Sequence, residues 1–160
     1  MSYDFNADEV LEMAEQMERN GAKFYRNAAD AVDSRSKKKL LKELAGMEDE
    51  HEKTFVSLRS DLKAAEKEPA TFDPEGEAML YLRALADTRV FFKKRTDFSS
   101  LEKVFKAAIE AEKDSIVFYL GLKEVVPDGR GKSRVDWIIM EEMTHLKNLS
   151  NELLKLDAKR

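Results

Sequence analysis

EEMTHL (residues 141–146) sets Glu142 three positions ahead of His145, and MEDEHE (47–52) sets Glu48 three ahead of His51. These are the only two histidines in the chain of 160 residues. Residues three apart on an α-helix are neighbours on one face, so each stretch presents a carboxylate and an imidazole side by side. The flanking sequence is helical in pattern. Around MEDEHE, alternating steps of three and four give Leu41, Leu44, Glu48, His51, Phe55, Leu58 and Leu62. Around EEMTHL they give Val135, Ile138, Glu142, His145 and Leu149. Each is an apolar stripe interrupted at mid-length by the same polar pair.

Two more stripes of this kind precede them. One runs Leu11, Ala14, Glu18, Gly21, Tyr25, Ala28, Val32, and the other Phe105, Ala108, Glu112, Ser115, Tyr119, Leu122, Val126. Four helices are therefore expected, at about Ala7–Val32 after a possible Asn6 cap, Ser36–Ala65, Ser99–Val126 and Ser133–Leu156. SSLE (99–102) reads as a capping box of Ser99 and Glu102, and PDGRG (127–131) separates the last two helices. More than thirty residues link the second helix to the third, too many for a simple turn between neighbours. This link holds a short helix of its own, with Asp73 as cap and Pro74 in its first position.

The halves repeat. A shift of 94 carries Val10 to Val104, Ala14 to Ala108, Glu18 to Glu112, Phe24 to Phe118 and Tyr25 to Tyr119. It also carries Glu48 to Glu142 and His51 to His145. The chain thus reads as a duplicated helical hairpin. The fold class expected is all-α, a single-domain four-helix bundle over residues 1–160, with helix 1 up, helix 2 down, a long crossover, helix 3 down and helix 4 up.

Four glutamates and two histidines then face one apolar interior. Burying unpartnered carboxylates costs several kcal/mol each, and four together repel one another. No lysine or arginine lies on the four stripes to neutralise them. Two divalent metal ions meet the need: each takes one histidine nitrogen and one terminal carboxylate, while two further glutamates bridge. The set is that of di-iron and di-manganese carboxylate bundles.

Composition agrees with a soluble helical protein, 42% hydrophobic and 38% charged, with a net charge of −4 that argues against a nucleic-acid partner. The basic clusters Arg35, Lys37, Lys38, Lys39 and Lys93, Lys94, Arg95 are expected to be solvated near helix ends. No run approaches 18 apolar residues, so no membrane partner is expected. MSYDFNADEV lacks an apolar segment of the signal-peptide kind, which makes the cytoplasm the expected location. The absence of cysteine excludes disulfides and thiolate sites. Trp137 and the seven methionines are expected to fill the core.

MERNGAKFY with EDEH, and EAEKDSIVFY with EEMTH, resemble the rubrerythrin-type branch of the ferritin-like di-iron proteins over nearly the whole chain. The resemblance implies a ferritin-like bundle whose metal ligands are Glu18, Glu48, His51, Glu112, Glu142 and His145, with Tyr25 and Tyr119 as hydrogen-bonding partners of those ligands. It implies two iron ions, with manganese or zinc compatible with the same donors, and a homodimer or larger homo-oligomer. The implied activity is redox chemistry of Fe(II) with hydrogen peroxide or dioxygen. A ferroxidase or iron-handling role is the alternative, and a non-catalytic metal-stapled bundle is a third. Two departures stand out. No rubredoxin-type cysteine site is present, so an external electron donor is expected. The extra third-helix carboxylate associated with peroxidase activity also has no match, because Glu110 does not share the face of Glu112. The spare carboxylate one turn from a ligand is instead Glu15, expected as an exposed or rim residue, with a place as an extra metal ligand the alternative.

Overall fold

The computed structural model describes residues 6–62, 77, 80–82, 84, 96–126 and 129–159. Four long helices carry them, and no strand occurs among the described residues. Asn6 opens α1 (Ala7–Ala31): its Oδ1 accepts from the Glu9 N–H at 3.0 Å, and Glu9 Oε2 accepts from the Asn6 N–H at 3.1 Å. This reciprocal box satisfies two of the amides that a helix start leaves without partners. Ser34 caps α2 (Arg35–Ser60), which ends five residues short of the expected Ala65 where Asp61 closes the last turn.

The cap of α3 (Leu101–Val125) is Ser100 and not Ser99, because Ser100 Oγ accepts from the Lys103 N–H. Ser99 instead donates from both its N–H and its hydroxyl to Asp97 Oδ1, at 2.9 and 2.5 Å. That local turn removes Ser99 from the helix, and with it the expected box with Glu102. The last helix, α4 (Arg130–Ala158), starts three residues earlier than expected, from Gly129 at φ 100, a left-handed conformation that favours glycine.

Contacts between side chains fix the directions. Arg59 pairs with Asp8, and Arg26 with Asp49, between α1 and α2. Tyr25 reaches Glu112 and Tyr119 reaches Glu18 between α1 and α3. Lys37 pairs with Glu152 between α2 and α4, and Lys123 with Asp136 at 2.7 Å between α3 and α4. In each neighbouring pair of helices one sequence number rises as the other falls, so all four pairs are antiparallel. The order is the up, down, down, up arrangement of a ferritin-like bundle. The crossover that this topology requires is described at a few positions. Residues 80–82 are helical, whereas the Asp73–Pro74 helix start and the cluster Lys93, Lys94, Arg95 lie outside the described residues. The other basic cluster sits at the start of α2, with Arg35 and Lys39 exposed and Lys37 half-buried against Glu152.

Leu82 is fully buried, and Tyr81 donates its hydroxyl to the Val117 carbonyl at 2.8 Å. Both residues lie against Gly121 of α3, where an added Cβ would collide with the Tyr81 ring and come within 3.1 Å of Leu82 Cδ2. This glycine is what makes room for Tyr81 and Leu82 against α3. Gly121→Ala should therefore displace the Tyr81 ring and lower unfolding stability by about 1–3 kcal/mol in urea denaturation; an unchanged midpoint would show that the crossover docks elsewhere.

The four stripes do face one another. Apolar residues fill the interior on either side of a polar middle, with Leu11, Phe55, Leu122 and Ile138 in one cluster and Leu41, Leu44, Phe105 and Leu149 in the other. Trp137, Met140 and Met143 correct the expectation of core filling, being 55%, 66% and 50% exposed. They stand between the stripe positions of α4 and so turn outward, whereas Met17 is buried.

Candidate metal centre

Between the two apolar clusters lie Glu18, Glu48, His51, Glu112, Glu142 and His145, all buried. Each comes from the mid-length interruption of its stripe, so helix periodicity alone carries the six to one level of the bundle. Two overlapping groups result. Glu18, Glu48, His51 and Glu142 offer donor atoms within 4.8 Å of one another, and so do Glu48, Glu112, Glu142 and His145. Glu48 and Glu142 belong to both groups. The two oxygens of Glu142 divide between the histidines, Oε1 at 3.1 Å from His51 Nδ1 and Oε2 at 3.1 Å from His145 Nδ1.

The tyrosines hold the outer carboxylates from across the bundle. Tyr25 donates to Glu112, Tyr119 donates to Glu18, and both rings are buried. The 94-residue shift maps one bond onto the other, so the internal repeat of the sequence survives as an approximate twofold relation in the site. Gly21 gives Glu48 its room: a Cβ there would sit 3.2 Å from Glu48 Oε2.

The electrostatics are those of a crowded anionic layer. Burial, aided by neighbouring carboxylates, raises Glu18 and raises Glu48 well above the ordinary value; the same causes lift Glu142 to about 8. Glu112 goes the other way: burial opposes its charge, but hydrogen bonds from Glu142, His145 and Tyr25 outweigh burial and hold it low. Burial also opposes charge on the histidines, yet the carboxylates around them prevail. His51 rises to about 11 through Glu142 and Glu18, and His145 to about 12 through Glu112, Glu142 and Glu48. Without a metal ion, protons must supply the neutralising charge.

The donor set fits divalent metal ions on an observation independent of pattern. Glu18 Oε2 and Glu48 Oε1 are buried carboxylate oxygens that accept no hydrogen bond among the described residues, facing only His51 Nδ1 at 3.5 Å and His145 Nδ1 at 3.3 Å. Leaving such atoms unsatisfied in a core is costly, and a cation between the two groups would satisfy both.

Glu15, the spare carboxylate, joins neither group. It is buried, which corrects the expected exposed or rim position: it pairs with Arg59 Nη1 at 3.2 Å, and Arg59 also holds Asp8. The stripe reading missed Arg59 because it lies beside Leu58, off the face used to define the core. A second residue that it missed is Glu141, whose Oε2 lies 2.6 Å from His51 Nε2. The doubled glutamate of EEMTHL was its visible signal. Glu110 is exposed, as its position off the Glu112 face implied.

Four helices around a buried layer of glutamate and histidine have the architecture of ferritin-like diiron-carboxylate proteins. A crystal structure of a protein from Thermotoga maritima described in those terms matches this chain with a TM-score of 0.70 at 24% identity, covering 96% of this chain and 97% of that one. That likeness speaks for the fold. The sequence pattern of the rubrerythrin family matches residues 9–154, and the chain belongs to that family. No curated protein matches the sequence.

Proposed function

We propose that the two groups hold two iron ions and that the protein performs redox chemistry of Fe(II) with hydrogen peroxide or dioxygen. The observation that carries this reading is the sharing of Glu48 and Glu142 between two buried donor groups, which suits a bridged pair of ions better than one ion. Glu18 and His51 would serve one ion, and Glu112 and His145 the other. A bound pair of Fe(II) ions supplies two electrons, enough to reduce one hydrogen peroxide, with two protons, to two waters.

The chain's own residues contribute placement, charge and dryness. Tyr25 and Tyr119 fix the orientation of Glu112 and Glu18 by donating to one oxygen of each. Phe55 packs on the Tyr119 ring, 5.0 Å between centroids, and helps keep bulk water from that side. In the metal-free protein Glu142, its carboxyl raised by burial and by Glu112 and Glu48, would hold a proton that it must give up when metal binds. An electron donor would complete the cycle. Iron handling, with Fe(II) itself as substrate, is the second reading, supported by the exposure of Glu110, which leaves α3 without a further carboxylate at the site.

Anaerobic loading with Fe(II) followed by oxidant tests both. Hydrogen peroxide or air should produce the near-ultraviolet absorption of ferric iron. A faster response to peroxide supports peroxide reduction, whereas preference for air with continued uptake of Fe(II) supports iron handling. A loaded protein whose spectrum neither oxidant changes has no such activity, and the site would then be a structural staple.

A further inference from the structure

The contacts between the two halves of the site correspond under the 94-residue shift, whereas His145 Nδ1 alone also lies 3.1 Å from the glutamate one turn before it, Glu142. His51 Nδ1 lies 3.1 Å from Glu142 and 3.5 Å from Glu18; His145 Nδ1 lies 3.3 Å from Glu48 and 3.6 Å from Glu112. Both rings thus turn Nδ1 toward the carboxylates and Nε2 away. At Nε2 the match breaks. His51 Nε2 meets Glu141 Oε2 at 2.6 Å, while His145 Nε2 is buried with no hydrogen-bond partner among the described residues. The position that corresponds to Glu141 in the first half is Met47, which offers no carboxylate.

A carboxylate on the outer nitrogen of a metal-binding histidine does two things. It fixes the tautomer, with the proton on Nε2 and the lone pair on Nδ1, and it makes the ring a stronger donor. Glu141 is only 24% exposed, so water screens the interaction little. The Trp137 ring stands nearly perpendicular to the same imidazole, with 6.4 Å between centroids. His145 lacks this carboxylate support.

We propose that Glu141 is a positioning residue that makes the two metal positions unequal, so that the ion held through His51 binds first and more tightly than the ion held through His145. The proposal rests on the dinuclear reading above. It gives the protein a stable state with one ion and a second position that exchanges more readily. Under the iron-handling reading, the His145 position is then the one through which Fe(II) enters and leaves.

Titration of the metal-free full-length protein with Co(II), followed by calorimetry and visible absorption, tests the proposal. The wild type should take up two ions in two resolved steps, with dissociation constants differing by roughly 10-fold or more. E141A should weaken the first step by roughly 10–100-fold and leave the second in place, merging the two. E141Q keeps an acceptor without the charge and should fall between, which separates positioning from a general loss of fold. M47E, which supplies the missing carboxylate, should tighten the second step. Two ions bound with equal affinity in the wild type, or E141A weakening both steps alike or neither, overturns the proposal. A total below two ions in the wild type overturns the dinuclear reading itself, and this proposal with it.

Discussion

Metal-free protein should melt at a higher temperature near pH 5 than near pH 7.5, and metal-loaded protein should do the reverse. In the metal-free state burial and mutual repulsion raise Glu18, Glu48 and Glu142 above their reference of 4.5, Glu142 to about 8. A carboxyl with a raised folded pKa stabilises the fold while protonated, and that contribution disappears as pH rises from the unfolded value through the folded one. The histidines act in the same sense at higher pH. Their contribution is complete below 6.5 and is lost as pH climbs toward about 11 for His51 and about 12 for His145. Glu112, which is lowered, opposes the trend only below its reference of 4.5, outside the window compared. Between pH 5 and 7.5 the metal-free protein should therefore lose a few kcal/mol, equivalent to about 10 °C in Tm. Bound metal holds the same carboxylates ionised and the imidazoles neutral, so acid must displace it and destabilise the loaded form. Melting curves of both forms at both pH values are the measurement. Parallel trends would mean that the glutamates do not act as one buried cluster.

Glu142→Ala should abolish the binding of both ions, while Glu15→Ala should leave two in place. Glu142 is fully buried and gives one oxygen to each histidine, so its loss removes a donor from both positions at once and also the group that holds the two rings at their present spacing. Loss of a shared ligand should exceed the roughly 10–100-fold weakening typical of a supporting residue. Elemental analysis after dialysis should then fall from two ions per chain to less than one. Glu15 sits only three residues from Glu18, yet its carboxylate is committed to Arg59. A Glu142→Ala protein that retains two ions would show that the carboxylates do not bridge. A Glu15→Ala protein that loses one would return Glu15 to the list of ligands.

Much of this was legible in the sequence, for identifiable reasons. Helix periodicity constrains the face on which a residue sits, and Glu18, Glu48, His51, Glu112, Glu142 and His145 all lie on faces that the apolar residues force inward. The duplication then disclosed the pairing of the halves, and the Tyr25–Glu112 and Tyr119–Glu18 bonds are its direct product. What the stripes could not convey was contact between helices at their flanks. Arg59 reaches Glu15 and Asp8 because α1 and α2 pack with a particular register, which sequence spacing along one helix does not specify. Glu141 stands in the doubled glutamate of EEMTHL, but its contact with His51 was not legible there because His51 is on another helix. Trp137, Met140 and Met143 were misplaced by residue type; their positions between stripe residues of α4 pointed outward. The shift of the α3 cap from Ser99 to Ser100 turned on Asp97, a competitor for the same hydroxyl that a capping-box pattern does not include.

The buried tyrosine–glutamate bonds run between hairpins, not within them: Tyr25 to Glu112 and Tyr119 to Glu18. So do the contacts of His51 with Glu142 and of His145 with Glu48. The seam along which α1–α2 meets α3–α4 is therefore lined by the very groups that would bind metal. Parting of the two hairpins along that seam would admit solvent to the ligands, and metal bound there should oppose it. Filling the site should therefore also lock the two halves together. Amide hydrogen exchange along the inward faces of all four helices would slow together on loading, at positions far from any ligand as well as beside it.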